Sequence, residues 1–330
     1  MTDLTYKKKS LTFSKLEIAS VVKKHPTPFF LYSEEVLTRN YLEFYEGAKA
    51  AGLKKPLVCF AMKSNPNLEM VKILAGLGSG ADIVSGGELK RALAAGIPAN
   101  QIVFSGVGKT KEEIQYALKL SKDGIYSFNV ESLEELELIN ECARKLKKTA
   151  RICFRLNPVV IPKTHKFIST GNKTHKFGLL EKDILASLNK TKYWSHSKLV
   201  GLSVHIGSQL LDLKATKKAL ITLSDVALKT KAPLEFLDAG GGLGVDYHPS
   251  EQKKLPSIET YMKLVAKTLD EHFYKKSDLK PRIVFEPGRR IVAKAGIFVM
   301  QVLRNKISEE NHFVIVDGGM NDFMLSLIHI

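Results

Sequence analysis

From residue 29 onward, short β-branched and aromatic runs alternate with amphipathic stretches of about 10 to 18 residues, the rhythm of βα units around a parallel sheet. Eight runs predict strands, at residues 57–62, 81–84, 102–105, 125–129, 151–156, 199–205, 234–238 and 283–286. The stretches between them read as helices. In 131–146, Leu133, Leu136, Ile139 and Leu146 fall near one face while glutamates line another. Eight strand–helix repeats predict a closed (β/α)8 barrel of the TIM type, whose chemical groups come from the C-terminal ends of strands. An open doubly wound sheet is the alternative, but it would not explain chemical residues spread over so many strands. Beyond Arg290 the rhythm changes. Residues 291–304 and 313–316 read as strands with no helix between them, the start of an antiparallel β domain. Residues 1–28 precede the barrel pattern and are expected to pack with that domain. The domain reading is therefore 1–28, a barrel over 29–290, and an incomplete β domain over 291–330.

Composition narrows the class. At 330 residues and 44% hydrophobic, the chain can bury a sizeable core and is neither disordered nor fibrous. Cys59, Cys142 and Cys153 form no CxxC pair, which disfavours disulfide and zinc frameworks and fits a reducing compartment. Residues 1–24 hold no apolar run of signal-peptide length, and nothing later approaches a membrane span, so a cytoplasmic protein without membrane partners is expected. The formal charge of +16 raises the question of nucleic acid. Its lysine clusters, at 7–9, 145–148 and 275–276, are short and lack interleaved aromatics, which reads as a solvated basic surface.

Candidate chemistry falls on the predicted strand ends. Lys63 follows the first, Asp82 and Ser85 lie at the second, Arg155 and Asn157 at the fifth and His205 at the sixth; Gly240, Gly241 and Gly242 follow the seventh, and Glu286 ends the eighth. Pyridoxal phosphate requires a lysine for its Schiff base, a phosphate cradle, a partner for the pyridine nitrogen and a group that holds the ring. Lys63 suits the first role, with Asp82 orienting it. The glycines suit the cradle, since missing side chains let backbone N–H groups approach phosphate. Glu286 suits the ring nitrogen, where an anion keeps the ring a strong electron sink. His205 suits stacking on the ring, Ser208 the phosphate, and Arg155 either Glu286 or the ring's phenolate oxygen. Arg289 is left for a substrate carboxylate, which its planar fork matches.

Each residue alone has a plainer reading: a solvated lysine, a tight glycine turn, a satisfied core histidine, an ordinary turn with a surface ion pair. Together they would have to land by chance on the ends of the right strands. Two other motifs fail. Ser105-Gly106-Val107-Gly108-Lys109-Thr110 imitates a Walker loop, but Val103 stands where its first glycine is required. Gly240-Gly241-Gly242-Leu243-Gly244 comes late and lacks GxGxxG spacing. His165, His175 and His196 lie in polar stretches without metal-ligand spacing, so no metal is expected.

From about Pro26 to Phe323 the chain resembles the fold-type III pyridoxal phosphate decarboxylases, and within them the diaminopimelate branch. The resemblance rests on Thr27-Pro28-Phe29-Phe30-Leu31-Tyr32, Asp82-Ile83-Val84-Ser85-Gly86-Gly87-Glu88-Leu89, the Phe104–Thr110 segment, His165-Lys166-Phe167-Ile168-Ser169-Thr170-Gly171, Lys176-Phe177-Gly178, the histidine, glycine and Glu286-Pro287-Gly288-Arg289 motifs, and Asp317-Gly318-Gly319-Met320-Asn321-Asp322. The resemblance implies a barrel of the alanine racemase-like type, pyridoxal 5′-phosphate as cofactor, Gly288 in its phosphate cradle, a homodimer at full length, and conversion of meso-diaminopimelate to L-lysine and CO2. Related racemases place arginine where Glu286 stands, so Glu286 argues for decarboxylation. Alternatives are a decarboxylase of ornithine, arginine or carboxynorspermidine, or a non-catalytic regulator on the same barrel. The family's later substrate-binding arginine and tyrosine, its Cys-Glu-Ser segment and a late tyrosine have no counterpart here. Leu325–Ile330 back-translates to a transposon end used in sequencing libraries, so the natural chain is expected to continue past Met324 and the chain as written to have little activity.

Overall fold

The computed structural model describes residues 3–7, 9–160, 176–247 and 255–323. His165–Gly171, His175 and Leu325–Ile330 lie outside them. The described chain divides into two compact units, Thr38–Val292 and a second formed by Met1–Leu37 with Ala293–Ile330.

The larger unit is a closed barrel of eight parallel strands: β5 (Leu57–Ala61), β6 (Gly80–Ile83), β7 (Ile102–Phe104), β8 (Ser127–Val130), β9 (Ala150–Leu156), β10 (Ser197–Val204), β11 (Phe236–Asp238) and β12 (Arg282–Phe285), with β12 closing onto β5. All eight sequence runs are strands, each within two residues of its expected bounds. Their interior is packed by Leu57, Cys59, Val103, Cys153, Val200, Phe236 and Val284. Gly201 makes room for this packing: a Cβ there would stand 2.5 Å from the Phe236 ring. The three cysteines are buried free thiols.

α1 (Ile18–Val22) and α2 (Glu34–Ala50) precede the barrel in sequence, and between its strands run α3 (Leu68–Gly76), α4 (Gly86–Ala94), α5 (Lys111–Lys119), α6 (Leu133–Lys145), α7 (Glu181–Leu188), α8 (Lys214–Thr230) and α9 (Ile258–Leu269). Their starts are written locally. Asn67, Ser85, Ser132 and Ser257 accept first-turn amides of α3, α4, α6 and α9, and Thr110 with Glu113 forms a reciprocal capping box on α5. The cap at Ser132 corrects the helix expected over 131–146. α6 buries Leu136, Ile139, Cys142 and Ala143, Leu133 is exposed, and Glu131 stays outside the helix, buried at the end of β8.

In the smaller unit, β1 (Leu4–Lys7), β2 (Ser10–Phe13) and β3 (Leu16–Glu17) form one antiparallel sheet. β4 (Phe29–Tyr32) pairs with β13 (Gly296–Val299), and β14 (Val302–Ile307) with β15 (His312–Val316). Thr27 Oγ1 donates to Asp317 at 2.5 Å. The strand expected from residue 291 begins later, because Arg289–Val292 forms a short helix, α10, closed by amides of Ile291 and Val292 on the Gly288 carbonyl.

Candidate active site

The chemical residues named from sequence gather at the C-terminal mouth of the barrel. β5 ends in a turn, Met62–Ser64, that carries Lys63, and its Nζ lies 2.9 Å from Asp82 Oδ2 on β6. Asp82 is fully buried, whereas 46% of the Lys63 side chain stays accessible in the mouth. Asp82 Oδ1 has no hydrogen-bond partner among the described residues. Burial pulls the Lys63 ammonium down, but the Asp82 and Glu286 carboxylates outweigh it and hold the group above its ordinary value.

His205 follows β10. Its Nδ1 accepts the Gly241 amide at 3.2 Å, which puts the ring proton of the neutral form on Nε2. Burial and the nearby Lys63 and Arg155 charges push it well below the usual histidine range, so the imidazole is neutral at working pH.

The three glycines are required by close backbone approach. A Cβ on Gly240 would stand 2.3 Å from the Val204 carbonyl, on Gly241 2.0 Å from the Glu286 carbonyl, and on Gly242 2.1 Å from the Gly207 carbonyl. Gly240 and Gly242 also have φ of +69° and +93°, which favours glycine. The loop after β11 is thus wedged between the loops after β10 and β12. Two of its amides are already used, Gly240 N on Asp238 Oδ1 (2.8 Å) and Gly241 N on His205. Gly242 N has no protein acceptor among the described residues. Gly288 is equally confined, since a Cβ there would meet Ser64 and Ala61 at 3.0–3.1 Å.

Glu286 is buried and accepts from Asn129 Nδ2 at 3.3 Å and Ser105 Oγ at 3.5 Å. Burial first, then the neighbouring Asp238 and Asp82 carboxylates, raise it well above the usual carboxyl range. Arg155 on β9 does not organise Glu286. Its guanidinium pairs with Glu131 at 2.6 Å, donates to the His205 carbonyl at 3.3 Å and lies over the Phe177 ring. Arg289 donates to Ser208 Oγ (3.1 Å) and Tyr247 Oη (2.9 Å), so both residues named for ligand contacts are engaged with each other. Ser85 caps α4, and Asn157 holds the Phe177 carbonyl.

Sequence reasoning missed a supporting layer. Glu131 joins Arg155 to the amides of Gly106 and Gly178, tying three loops together. Lys109, which imitated a Walker lysine, is buried and donates to Gly106 O, Asn129 O and Glu135. Asp238 and Asn129 sit beneath Glu286. The available signal was the strand register: an acidic residue closing a run just before a helix cap, or just before a glycine turn, faces the mouth.

A buried aspartate on the lysine, an unfilled amide at a confined glycine turn and a buried carboxyl opposite them suit a phosphorylated pyridine aldehyde. The described residues hold no cluster of metal-ligating side chains, and none of their helices is long and apolar enough to cross a membrane.

Residues 44–293 match the family model described as pyridoxal-dependent decarboxylase, pyridoxal binding domain. The chain is 38% identical to diaminopimelate decarboxylase of Zymomonas mobilis over 98% of its own length and 75% of that protein. It is 44% identical to the enzyme of that name from Helicobacter pylori, over 92% and 72%. Among solved structures, the Helicobacter pylori diaminopimelate decarboxylase complexed with L-lysine superposes with a TM-score of 0.85 at 41% identity, covering 93% of this chain and 74% of that one. The diaminopimelate decarboxylase from m. jannaschi gives a TM-score of 0.89 at 35% identity, over 98% and 74%.

Proposed function

The chain belongs to the pyridoxal-dependent decarboxylases, and from that premise we infer that it converts meso-diaminopimelate to L-lysine and CO2. The relatives it matches over most of its length carry that activity in their names, and one superposes with lysine bound. Pyridoxal phosphate, when bound, supplies the electron sink that accepts the bonding pair left by a departing carboxylate. The observation that carries the reading is the Lys63–Asp82 pair facing buried Glu286 across one barrel mouth.

The residue roles are part of the proposal. Lys63 supplies the amine that holds the cofactor covalently, and Asp82 keeps that amine in place from a buried strand. Neutral His205, its tautomer set by Gly241, would stack on the ring without adding charge to it. Glu286 meets the ring nitrogen. Gly242, Gly288 and Ser208 take the phosphate, in the loops after the sixth to eighth barrel strands, and Gly240 and Gly241 serve it by shaping that loop. Arg155, locked by Glu131, borders the ring. Arg289 exchanges its Ser208 and Tyr247 bonds for a substrate carboxylate, to which its fork is better matched.

We further propose a homodimer in the cytoplasm. Val302, Leu303, Phe313 and Val314 of the β14–β15 hairpin are each about half exposed, apolar surface of the kind association covers, and three free thiols suit a reducing compartment. Sedimentation of the protein at micromolar concentration tests the first point; a monomer would sink it.

The deciding assay measures CO2 and lysine from meso-diaminopimelate, with ornithine and arginine alongside, using the protein at the full length of its gene. Lysine formed from diaminopimelate and abolished in Lys63→Ala is the expected result. Turnover of another amino acid would move the substrate, and cofactor binding without any turnover would favour the regulator.

A further inference from the structure

Two carboxyl groups meet on the floor of the mouth with no cation assigned to them. Asp238 ends β11 at 0% exposure, in register with Val284 of β12, and Glu286 lies two residues further along the same face at 5%, so the two carboxyls share the barrel floor. The nearby cations have other partners: Lys63 is on Asp82 at 2.9 Å and Arg155 on Glu131 at 2.6 Å. Among the described residues no ion pair is left for Asp238 or Glu286. Two adjacent buried carboxyls cannot both ionise cheaply, so the pair holds a proton that neither would keep alone.

Hydrogen bonds decide where that proton sits. Asp238 Oδ1 accepts the Gly240 amide at 2.8 Å, a bond that favours the anion, while Glu286 Oε1 accepts longer bonds at 3.3 and 3.5 Å. Asp238 Oδ2 is buried with no hydrogen-bond partner among the described residues. The charge therefore belongs to Asp238 and the proton to Glu286.

We propose that Asp238 is a positioning residue for the decarboxylation, its buried negative charge retaining on Glu286 the proton that Glu286 shares with the ring nitrogen of the bound cofactor. As the proton crosses, the Glu286 O–H bond breaks and an N–H bond forms, leaving a carboxylate beside a ring cation, so charge and atoms balance. Asp238 touches neither cofactor nor substrate. The inference rests on the placement of Glu286 against the ring nitrogen.

The other groups facing the pair are Asp82 from β6, Lys63 after β5, Arg155 and Cys153 from β9, Cys59 from β5 and Tyr261 from α9. Burial pushes both thiols and the phenol up, so they stay protonated at working pH. Burial likewise moves Asp238 up to about 7 and Glu286 well above its ordinary range.

The test begins with the cofactor-free protein. Its infrared spectrum at neutral pH should contain a protonated-carboxyl band that Glu286→Gln removes. In Asp238→Asn the band should titrate away at a pH lower by about one unit or more, a tenfold or greater loss of proton affinity. With cofactor bound, the alkaline limb of kcat should move the same way while KM holds. No protonated-carboxyl band in the wild type, a band that survives Glu286→Gln, or an unmoved midpoint in Asp238→Asn would overturn the proposal. If Asp238→Asn does not fold, Asp238→Ser removes the same charge with a smaller side chain and reads the same midpoint. A band that behaves as stated beside an unmoved kcat limb would overturn the link to the ring nitrogen. Lysine release by the wild type reads the decarboxylation reading separately.

Discussion

At the scale of single residues, the site depends on charges held in place by other charges. Glu131 is 2% exposed at its side chain, Arg155 9%, and their pair at 2.6 Å also anchors the Gly106 and Gly178 loops. Removing one partner of such a pair strands the other in a low-dielectric site. Glu131→Gln should therefore cost about 3 kcal/mol of stability and reduce cofactor affinity, read by urea unfolding and by titration of the cofactor's absorbance. A variant as stable as wild type would mean that Arg155 finds another partner. Lys63 was legible as a residue because lysine ending a strand has a recognisable chemical use. Glu131 was not, because in sequence it is one glutamate among several before a leucine-rich helix. Only the Ser132 cap separates it from that helix and turns it inward.

At the scale of elements, the loop after β11 is the part most closely fitted to its neighbours. Gly240, Gly241 and Gly242 were expected to bring backbone N–H groups to phosphate, yet two of these amides are spent on Asp238 and His205. Their lack of side chains serves loop-to-loop packing first. Gly241→Ala would drive a methyl group to 2.0 Å from the Glu286 carbonyl, an impossible contact that must displace either loop. Cofactor affinity should fall about tenfold or more, with a smaller loss in melting temperature, measured by fluorescence quenching and calorimetry. Unchanged affinity would show that the loop shifts without moving Glu286. The β14–β15 hairpin contrasts with this loop: β15 was anticipated from its pattern, the single run expected over 291–304 splits into β13 and β14, and the hairpin's half-exposed apolar side chains have no cover among the described residues of their own unit.

At the scale of the whole molecule, the buried acids make stability depend on pH. Asp238 sits near 7 in the folded protein against 3.8 for the ordinary group, a raised value, because its charged form is the one burial penalises. Its favourable contribution is complete below about pH 4 and is lost as pH climbs through about 7, on the order of 4 kcal/mol in total. The cofactor-free wild type should lose urea resistance relative to Asp238→Asn between about pH 5 and 8. Parallel midpoints across that range would show that Asp238 titrates normally.

What the sequence determined by itself was periodicity and chemical type. Eight β-branched runs spaced by amphipathic segments are enough to specify a parallel α/β sheet, because strand and helix periods are local properties of the chain, and the spread of chemical residues over the strand ends favoured its closure into a barrel. They also specify which end carries chemistry, since the reactive residue types fall at the C-terminal ends of the runs. The Lys63–Asp82 pair was legible in the sequence, but the tertiary structure alone decided the other pairings. Arg155 takes Glu131 and not Glu286, and Asp238 comes to rest on the strand beside Glu286 with no ion pair to either among the described residues. Barrel closure and register set these contacts, and no local pattern encodes the distance between two strand ends.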